Sequence, residues 1–280
     1  MLHIRPMSRA ELAVGIEWAA QEGWNPGLHD DFSFHAADPG GFLLGLLDAQ
    51  PIGMVSAVRY GAGFGFVGFY LVRPLRRGQG HGIALWRAAM QRLEGRTIGL
   101  DGVVAQQANY RRSGFELAWN NVRYQGVVRA GAHIDAGIVA IDPSLQDAVL
   151  DYDAAFFADD RRAFMRHWLL QSGSTALALR RDGGAVAGFG VVRPCRVGFK
   201  IGPLFADHAG AADTLYRALV AGLPDGAPVQ LDIPAPNPLA RELAKSHAMQ
   251  PVFETARMYV GPAAPPPLHR MFGVTTFELG

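Results

Sequence analysis

The second half of this 280-residue sequence repeats landmarks of the first half in the same order. The paired segments are residues 53–59 with 188–193, 85–88 with 215–218, 100–101 with 231–232, and 123–126 with 257–261. In every pair the first residues of the two members lie 130 to 135 positions apart. Because the landmarks recur in one order at nearly one spacing, the sequence predicts a tandem duplication of one fold. We therefore predict two domains, residues 1–130 and 131–280, joined near residues 129–138, where Gly131 and Gly137 flank a polar stretch.

Hydrophobic periodicity and turn residues predict helices and strands in both halves. Ser8 with Glu11 three residues later matches a capping box, which predicts a helix over 9–22. The other elements predicted in the first half are helices over 30–36, 82–93 and 108–113 and strands over 2–5, 42–47, 52–60, 64–72, 98–104 and 117–128. Those predicted in the second half include helices over 144–157, 161–171, 211–222 and 238–247, strands over 229–233 and 252–260, and a last strand over 274–279 behind the proline-rich spacer 263–267. The fold class is therefore α+β, a mixed α/β arrangement.

Composition and charge exclude several classes of protein. The formal net charge of +1 gives no general attraction to nucleic acid or to an anionic membrane. The single cysteine, Cys195, cannot form an intramolecular disulfide, and the histidines do not follow a metal-ligand spacing. No apolar run is long enough to span a bilayer, and no charged-then-apolar leader opens the chain. We therefore expect a cytoplasmic globular protein with no metal and with neither a nucleic acid nor a membrane as partner.

Arginines and glycines crowd the junction between a predicted strand and the helix that follows it. At such a junction unpaired backbone N–H groups and the positive end of the helix dipole attract anions. Gly78, Gly80 and Gly82 let the backbone approach a ligand, and Arg76 and Arg77 can bind phosphate oxygens. The Lys-Ser/Thr pair of a Walker A loop and the glycine spacing of a dinucleotide fingerprint are both missing. The stretch predicts a pyrophosphate site, with a solvent-exposed glycine turn as the alternative.

The order Arg77-x-x-Gly80-x-Gly82 between a strand and an amphipathic helix resembles the acetyl-CoA-binding motif of the GNAT superfamily of N-acetyltransferases. Downstream, Tyr110 with Gly114-Phe115 resembles the Tyr-x-x-x-Gly-Phe segment of the same superfamily. The resemblance implies tandem GNAT-like domains, each with a central, mostly antiparallel sheet flanked by helices. It also implies that the following residues bind acetyl-CoA as co-substrate: Leu71, Val72, Arg76, Arg77, Gly78, Gln79, Gly80, His81, Gly82 and Asn109.

In GNAT enzymes the tyrosine hydroxyl lies near the thioester sulfur and protonates the leaving thiolate, and the resemblance implies this role of general acid for Tyr110. A phenol is neutral at neutral pH and can donate one proton at short range. Packing of the ring under the CoA arm is the alternative role. The superfamily's customary Asn upstream of the tyrosine is missing, because Val103 stands near that position. The side-chain amides of Gln106, Gln107 and Asn109 are the candidates to replace it.

As a whole, the chain resembles a two-domain group of the superfamily in which the second domain is a degenerate acetyltransferase-like copy. Aligning Leu85 with Leu215 places Asp207 at the position of Arg77 and Ala212 at that of Gly82. A carboxylate at this point would repel a pyrophosphate. Residues 131–280 are therefore expected to bind no CoA and to shape the acceptor site from the interdomain groove.

These observations predict an acyl-CoA-dependent N-acyltransferase, most simply one that transfers acetyl from acetyl-CoA to an amine whose identity the sequence leaves open. The resemblance implies direct attack on the thioester, with a backbone N–H near Leu71 or Val72 polarising the carbonyl. Residues in the segment where the superfamily's acceptor-binding helices fall are candidate bases: Glu22, His29, Asp30, Asp31 and His35. The alternative is a non-catalytic CoA-binding regulator that keeps the phosphate site and engages a partner through its second domain.

Overall fold

The structure is a computed structural model and describes residues 1–129, 135–181 and 183–280. The first half contains β1 (Leu2–Pro6), α1 (Arg9–Gln21), α2 (Asp30–Ala37), β2 (Phe42–Leu47), β3 (Gln50–Tyr60), β4 (Phe64–Val72), α3 (His81–Arg92), β5 (Thr97–Val103), α4 (Gln107–Arg112) and β6 (Glu116–Val127). The second half contains β7 (Ile138–Ala140), α5 (Pro143–Asp153), α6 (Arg162–Leu169), β8 (Thr175–Arg180), β9 (Val186–Pro194), β10 (Phe199–Ala206), α7 (Ala209–Ala221), β11 (Pro228–Pro234), α8 (Pro238–Ser246), β12 (Gln250–Val260) and β13 (Met271–Gly273). The domain boundary predicted between residues 130 and 131 lies outside the described residues.

Local sequence signals place most elements within a few residues of their predicted positions. The capping box of α1 is confirmed: the Glu11 amide donates to Ser8 Oγ over 3.3 Å, and the Ser8 amide donates to Glu11 Oε2 over 2.9 Å. This reciprocal pair satisfies two amides that the first turn of a helix leaves free. The predicted strand over 64–72 is β4 with the same bounds.

Two predicted elements are wrong in extent or position. The helix predicted over 144–157 ends at Asp153 and continues only as a 3₁₀ turn, Ala154–Phe156. The strand predicted over 274–279 is absent, and the last strand is β13, Met271–Gly273. After β13 the chain turns instead of extending, because the Gly280 amide donates to the Thr276 carbonyl oxygen over 3.1 Å.

All thirteen strands of the described residues belong to one mostly antiparallel sheet. Its order is β1-β2-β3-β4-β5-β12-β6-β11-β10-β9-β8-β7, with β13 paired to β10. The last long strands of the two halves are exchanged, because β12 pairs with β5 and β6 pairs with β11. Each half therefore completes the sheet of the other.

The exchanged strands carry two equivalent buried ion pairs. Arg257 on β12 lies opposite Asp101 on β5 and binds both of its carboxylate oxygens, the shorter contact being 2.6 Å. Arg123 on β6 lies opposite Asp232 on β11 and binds both oxygens over 2.7 Å. All four residues belong to the repeated landmarks. Each half therefore contributes one Asp and one Arg to two equivalent ion pairs that join the halves.

The sheet separates one shared core from two local ones. On one face, α1 and α2 pack with α5 and α6 in a core common to both halves, where Phe34 stacks on Trp168 with ring centroids 5.9 Å apart. On the other face, α3 and α4 cover a first-half core and α7 and α8 cover a second-half core. Alternate residues of β3, such as Met54 and Val55, therefore belong to different cores.

Candidate active site

The strands β4 and β5 separate partway along their length. Their parallel pairing ends at Val67 and Leu100, although β4 continues to Val72 and β5 continues to Val103. A register shift against β3 leaves a bulge at Phe69, whose φ of 43° lies in the left-handed region. A bulge bends its strand, so β4 turns away from β5. A cavity of about 1200 Å³ opens at this separation, which we call the β4–β5 wedge.

The first turn of α3 lies next to the wedge with its amides free. Gly80, at the N-cap, has a φ of 82°, and no side chain caps the helix. The first helical bond is donated by Ala84 to the Gly80 carbonyl oxygen, and the amides of residues 81–83 have no protein partner in the described chain. A Cβ on Gly78 or Gly80 would meet no atom within 4 Å. The glycines therefore serve the left-handed backbone and leave open space in front of an anion-binding helix end.

The predicted acetyl-CoA residues lie together at the wedge. Four of them line the cavity: Leu71, Val72, Arg77 and Asn109. The other six lie beside it, on the turn and first helical residues between Pro74 and Ile83: Arg76, Gly78, Gln79, Gly80, His81 and Gly82. Packing explains the glycine at position 82, since a Cβ there would come 2.8 Å from Tyr70 Oη.

Arg77 faces the cavity but is already engaged. Its Nε donates to the Val72 carbonyl oxygen over 2.8 Å, and its Nη2 pairs with Glu22 Oε1 over 2.5 Å. Half of the side chain is exposed, so the guanidinium remains reachable from solvent. Arg76 is exposed and does not line the cavity.

Tyr110 forms part of the cavity wall. Its ring lies against Gly102, where a Cβ would come 2.2 Å from Tyr110 Cε2, and its centroid is 5.6 Å from that of Trp86. Burial, with a smaller contribution from the neighbouring Tyr70, raises the pKa of Tyr110 to about 12. No protein group in the described residues hydrogen-bonds its hydroxyl. The ring therefore packs as a structural residue would, while the hydroxyl stays protonated and available to a ligand.

The residues considered for the missing amide and for the base are spread over the structure. Gln106 and Asn109 both line the cavity and hydrogen-bond each other, with 2.5 Å between Nδ2 and Oε1, whereas Gln107 does not line it. Of the five candidate bases, Glu22 alone is in the cavity wall. Asp30 is buried and pairs with Arg193 of the second half over 3.0 Å, which makes it a link between the halves.

The cavity is walled by residues of both halves. From the first half Trp24 contributes, with its ring centroid 6.3 Å from that of Phe69. From the second half come Gln230, Val252, Phe253, Thr255, Phe277 and Glu278. Sequence reasoning missed these second-half residues, because only the strand exchange and the path of the C-terminal segment bring them to the wedge.

The corresponding wedge of the second half is filled by the chain itself. Pairing of β10 with β11 ends at Ile201 and Leu231, and β13 then pairs with β10 in the gap. The amide of Val274, next to β13, donates to the Asp232 carbonyl oxygen on β11 over 2.8 Å. The chain thus occupies the position that is open between β4 and β5.

The start of α7 is also closed. His208 Nδ1 accepts the Ala211 amide over 3.2 Å and so caps the helix. The Asp207 carboxylate, at the position of Arg77, accepts hydrogen bonds from Tyr152, Arg181 and Arg270. A capped helix end beside a carboxylate lacks the free amides and the open space that make the start of α3 a candidate anion site.

The fold and the site define a GNAT protein with two domains in tandem. The profile of the acetyltransferase (GNAT) family matches residues 11–115, and that of an acetyltransferase (GNAT) domain matches residues 149–273. The chain therefore belongs to the GNAT superfamily and is an acyltransferase enzyme, as the sequence predicted. In the described residues no helix is long and apolar enough to cross a membrane, and no group of three or more His, Cys, Asp or Glu side chains could hold a metal ion.

The chain is also similar to individual proteins. The chain is 29% identical over 276 residues to the holothin acyltransferase of Pseudoalteromonas sp. (strain SANK 73390), covering 99% of this chain and 94% of that protein. A putative acetyltransferase from Pyrococcus horikoshii has a similar structure, with a TM-score of 0.82 at 23% identity over 100% of this chain and 96% of that one. A tandem GNAT protein from the clavulanic acid biosynthesis pathway matches with a TM-score of 0.64 at 16% identity, covering 94% of this chain and 100% of that one.

Proposed function

We propose that this enzyme transfers the acetyl group of acetyl-CoA to an amine, by direct attack of the amine on the thioester. The observation that carries the proposal is the open β4–β5 wedge, which has a free helix N-terminus at one end and the neutral Tyr110 hydroxyl in its wall. In this proposal the amides at the start of α3 bind the pyrophosphate. The pantetheine arm lies in the wedge, along the open edge of β4.

The peptide groups of β4 support this placement. The Arg73 amide donates to the Ile52 carbonyl oxygen on β3, so the peptide groups of Arg73 point towards β3. Because successive residues of a strand point their peptide groups to opposite edges, those of Val72 face the wedge. The Val72 amide is therefore the donor that we propose for the acyl carbonyl oxygen, and Arg77 must release the Val72 carbonyl oxygen when a ligand pairs with this edge.

Tyr110 is the proposed general acid. In the transfer the amine nitrogen forms a bond to the thioester carbon, the carbon–sulfur bond breaks, and Tyr110 donates its proton to the leaving thiolate. A pKa of about 12 keeps the phenol protonated until that point. The second domain does not bind CoA in this proposal, because its wedge is filled and its helix is capped, and it walls the acceptor end of the cavity.

The test follows free thiol when the enzyme is mixed with acetyl-CoA and an acceptor. Holothin is the first acceptor to use, because the relative that is 29% identical is named for acylating it, and benzylamine and tryptamine serve as simple primary amines. Thiol release that depends on an acceptor, with the acetylated product seen by mass spectrometry, supports the proposal. Saturable acetyl-CoA binding without thiol release on any of these acceptors would contradict it and favour a regulator.

A further inference from the structure

Three carboxylates line the cavity, and two of them are held in ion pairs. Glu22 pairs with Arg77 at 2.5 Å, and Asp101 accepts two hydrogen bonds from Arg257. Glu278 forms no ion pair with any described residue, although only 6% of it is exposed. Its carboxylate is oriented by Thr276, whose hydroxyl donates to Glu278 Oε2. Glu278 is thus the cavity carboxylate that is fixed in place without being neutralised by a paired arginine.

The C-terminal segment holds Glu278 against the reacting end of the wedge. The Glu278 carbonyl oxygen packs on Gly68, where a Cβ would come within 2.0 Å, and Gly68 immediately precedes the bulge at Phe69. Two hydrogen bonds anchor the segment beyond this point. The Tyr60 hydroxyl donates to the Leu279 carbonyl oxygen over 3.0 Å, and Arg161 donates to that of Gly280 over 3.1 Å.

The charged groups that interact with Glu278 come from four strands. Arg123 on β6, Arg193 on β9 and Lys200 on β10 are buried cations, and Asp101 on β5 is already compensated by Arg257. A buried carboxylate needs compensating charge or hydrogen bonds. Arg123 and Arg193 are already paired with Asp232 and Asp30, so Glu278 relies on the Thr276 hydroxyl and on Lys200, which forms no ion pair with the described residues. Arg123 also stacks on Phe277, with its Cζ 5.0 Å from the ring centroid, next to Glu278.

We propose that Glu278 is the general base of the transfer, an inference that rests on the proposed function. As the amine nitrogen attacks the thioester carbon, the Glu278 carboxylate accepts the proton that the nitrogen loses, while Tyr110 gives a proton to the thiolate. The products are the amide and CoA thiol, and protons exchanged with solvent return both side chains to their starting states. The second domain thereby supplies a catalytic residue to the cofactor site of the first.

The kinetic test compares the wild type with Glu278→Gln and with the control Glu254→Gln, using acetyl-CoA and holothin or benzylamine. Glu254 is an exposed carboxylate on β12 that does not line the cavity. Glu278→Gln should lower kcat by about 10²–10⁴-fold with an unchanged KM for acetyl-CoA, and its rate should keep rising with pH where the wild type levels off. Glu254→Gln should retain the wild-type kcat.

Two kinetic results would overturn the assignment. One is a Glu278→Gln variant with the kcat and pH profile of the wild type. The other is a loss equal at every pH together with a lower Tm and a higher KM for acetyl-CoA, which would make Glu278 structural. Absence of thiol release by the wild type would instead count against the proposed function.

A second measurement decides the matter without turnover. Carbon-13 NMR of enzyme labelled at the glutamate carboxyl groups, with Glu278→Gln identifying the signal, reports the protonation of Glu278 in the acetyl-CoA complex. An ionised carboxylate at neutral pH supports a base, and a protonated one excludes it.

Discussion

Tyr110 has a buried ring and a hydroxyl that no described protein group binds. A proton donor needs both properties, because burial keeps the hydroxyl protonated and the lack of a protein partner leaves it free to reach a ligand. Burial removes the solvation that a phenolate needs, which raises the pKa of Tyr110 to about 12. Tyr216 in the second half has a similarly raised pKa, also about 12, for the same reason, but its hydroxyl contacts Met249 and it does not line the cavity. The difference between the two tyrosines lies in what the hydroxyl can reach.

Replacing Tyr110 with Phe should therefore lower kcat by about 10²–10⁴-fold, because the thiolate loses its proton donor, while acetyl-CoA affinity stays unchanged. In the wild type, activity should show no loss from tyrosine ionisation at alkaline pH until the pH approaches the Tyr110 pKa of about 12. Thiol-release kinetics and calorimetric titration with acetyl-CoA measure the two effects. The matched control is Tyr216→Phe, which should keep the wild-type kcat. Full activity in Tyr110→Phe would leave the residue a packing role only.

Glu11, another single residue, makes a pH-dependent contribution to the stability of the fold. Its hydrogen bond from Arg5, with that from the Ser8 amide, lowers the pKa of Glu11 from 4.5 to about 2. Since the folded pKa lies below the unfolded one, the stabilisation is complete above pH 4.5 and is lost as the pH falls towards 2. Glu11→Gln removes the partly exposed ion pair with Arg5 and should lower the free energy of unfolding by at most about 1 kcal/mol at neutral pH. Urea denaturation should show this difference vanishing in acid. The exposed Glu94→Gln serves as the control, and a difference that persists in acid would contradict the assignment.

At the scale of single elements, α3 and α7 occupy equivalent positions in the two halves but begin differently. The α3 N-terminus begins at a left-handed Gly80 with free amides, whereas α7 begins at His208, whose ring accepts the Ala211 amide. Both helices follow a strand whose parallel pairing ends early. The strand and the helix are thus present in both copies, and the two copies differ in the capping residue and in the filling of the wedge.

Gly80→Ala should weaken acetyl-CoA binding, because alanine disfavours a φ of 82° and the first turn of α3 would have to rearrange. Gly95 offers a matched control: its φ is 80°, and a Cβ there would also meet nothing within 4 Å, but it lies in the turn after α3. Both variants should lose about 1–3 kcal/mol of stability from the same backbone strain. Only Gly80→Ala should lose affinity in calorimetric titration. Equal affinities in the two variants would remove the α3 N-terminus from the binding site.

Local signals in the sequence were sufficient for the elements and for the first-half motifs. A capping box, alternating strands and a glycine-rich junction are read from neighbours in the chain, so α1, β4 and the start of α3 could be predicted. Glu278 and Phe253 could not, because they reach the wedge through a strand exchange and a C-terminal segment that no local pattern encodes. The last strand was predicted at the wrong residues for the same reason, because its position depends on a non-local contact. Strand β13 pairs with β10, which lies about seventy residues earlier in the chain.

At the scale of the whole molecule, the exchange of β6 and β12 makes the two halves depend on each other. The equivalent pairs Asp101–Arg257 and Asp232–Arg123 lie on either side of the exchanged strands, and all four residues are buried or nearly so. Neither half can unfold without withdrawing a central strand and a buried arginine from the other. The β4–β5 wedge is lined by residues of both halves, so its geometry depends on the folding of both domains.

Asp232→Asn should therefore destabilise the whole protein and not only the second half. Removing one partner leaves Arg123 buried without its counter-charge, a change that costs about 3–5 kcal/mol. Asp232 is the better choice for this test than Asp101, because Asp101 lines the cavity and its loss would also disturb the site. The exposed pair of Asp151 with Arg162 supplies the control, since Asp151→Asn should cost at most about 1 kcal/mol.

Hydrogen-exchange mass spectrometry at increasing urea concentrations distinguishes a shared from a local effect, because it follows α3 and α7 separately. Helix α3 covers the first-half core and α7 covers the second-half core, so each helix reports unfolding of its own half. If the exchanged strands couple the halves, both signals should shift together to a lower midpoint in Asp232→Asn and remain one transition. Two separated transitions, with only the α7 signal displaced, would show that the halves unfold independently. In that case the ion pair would stabilise its own half alone.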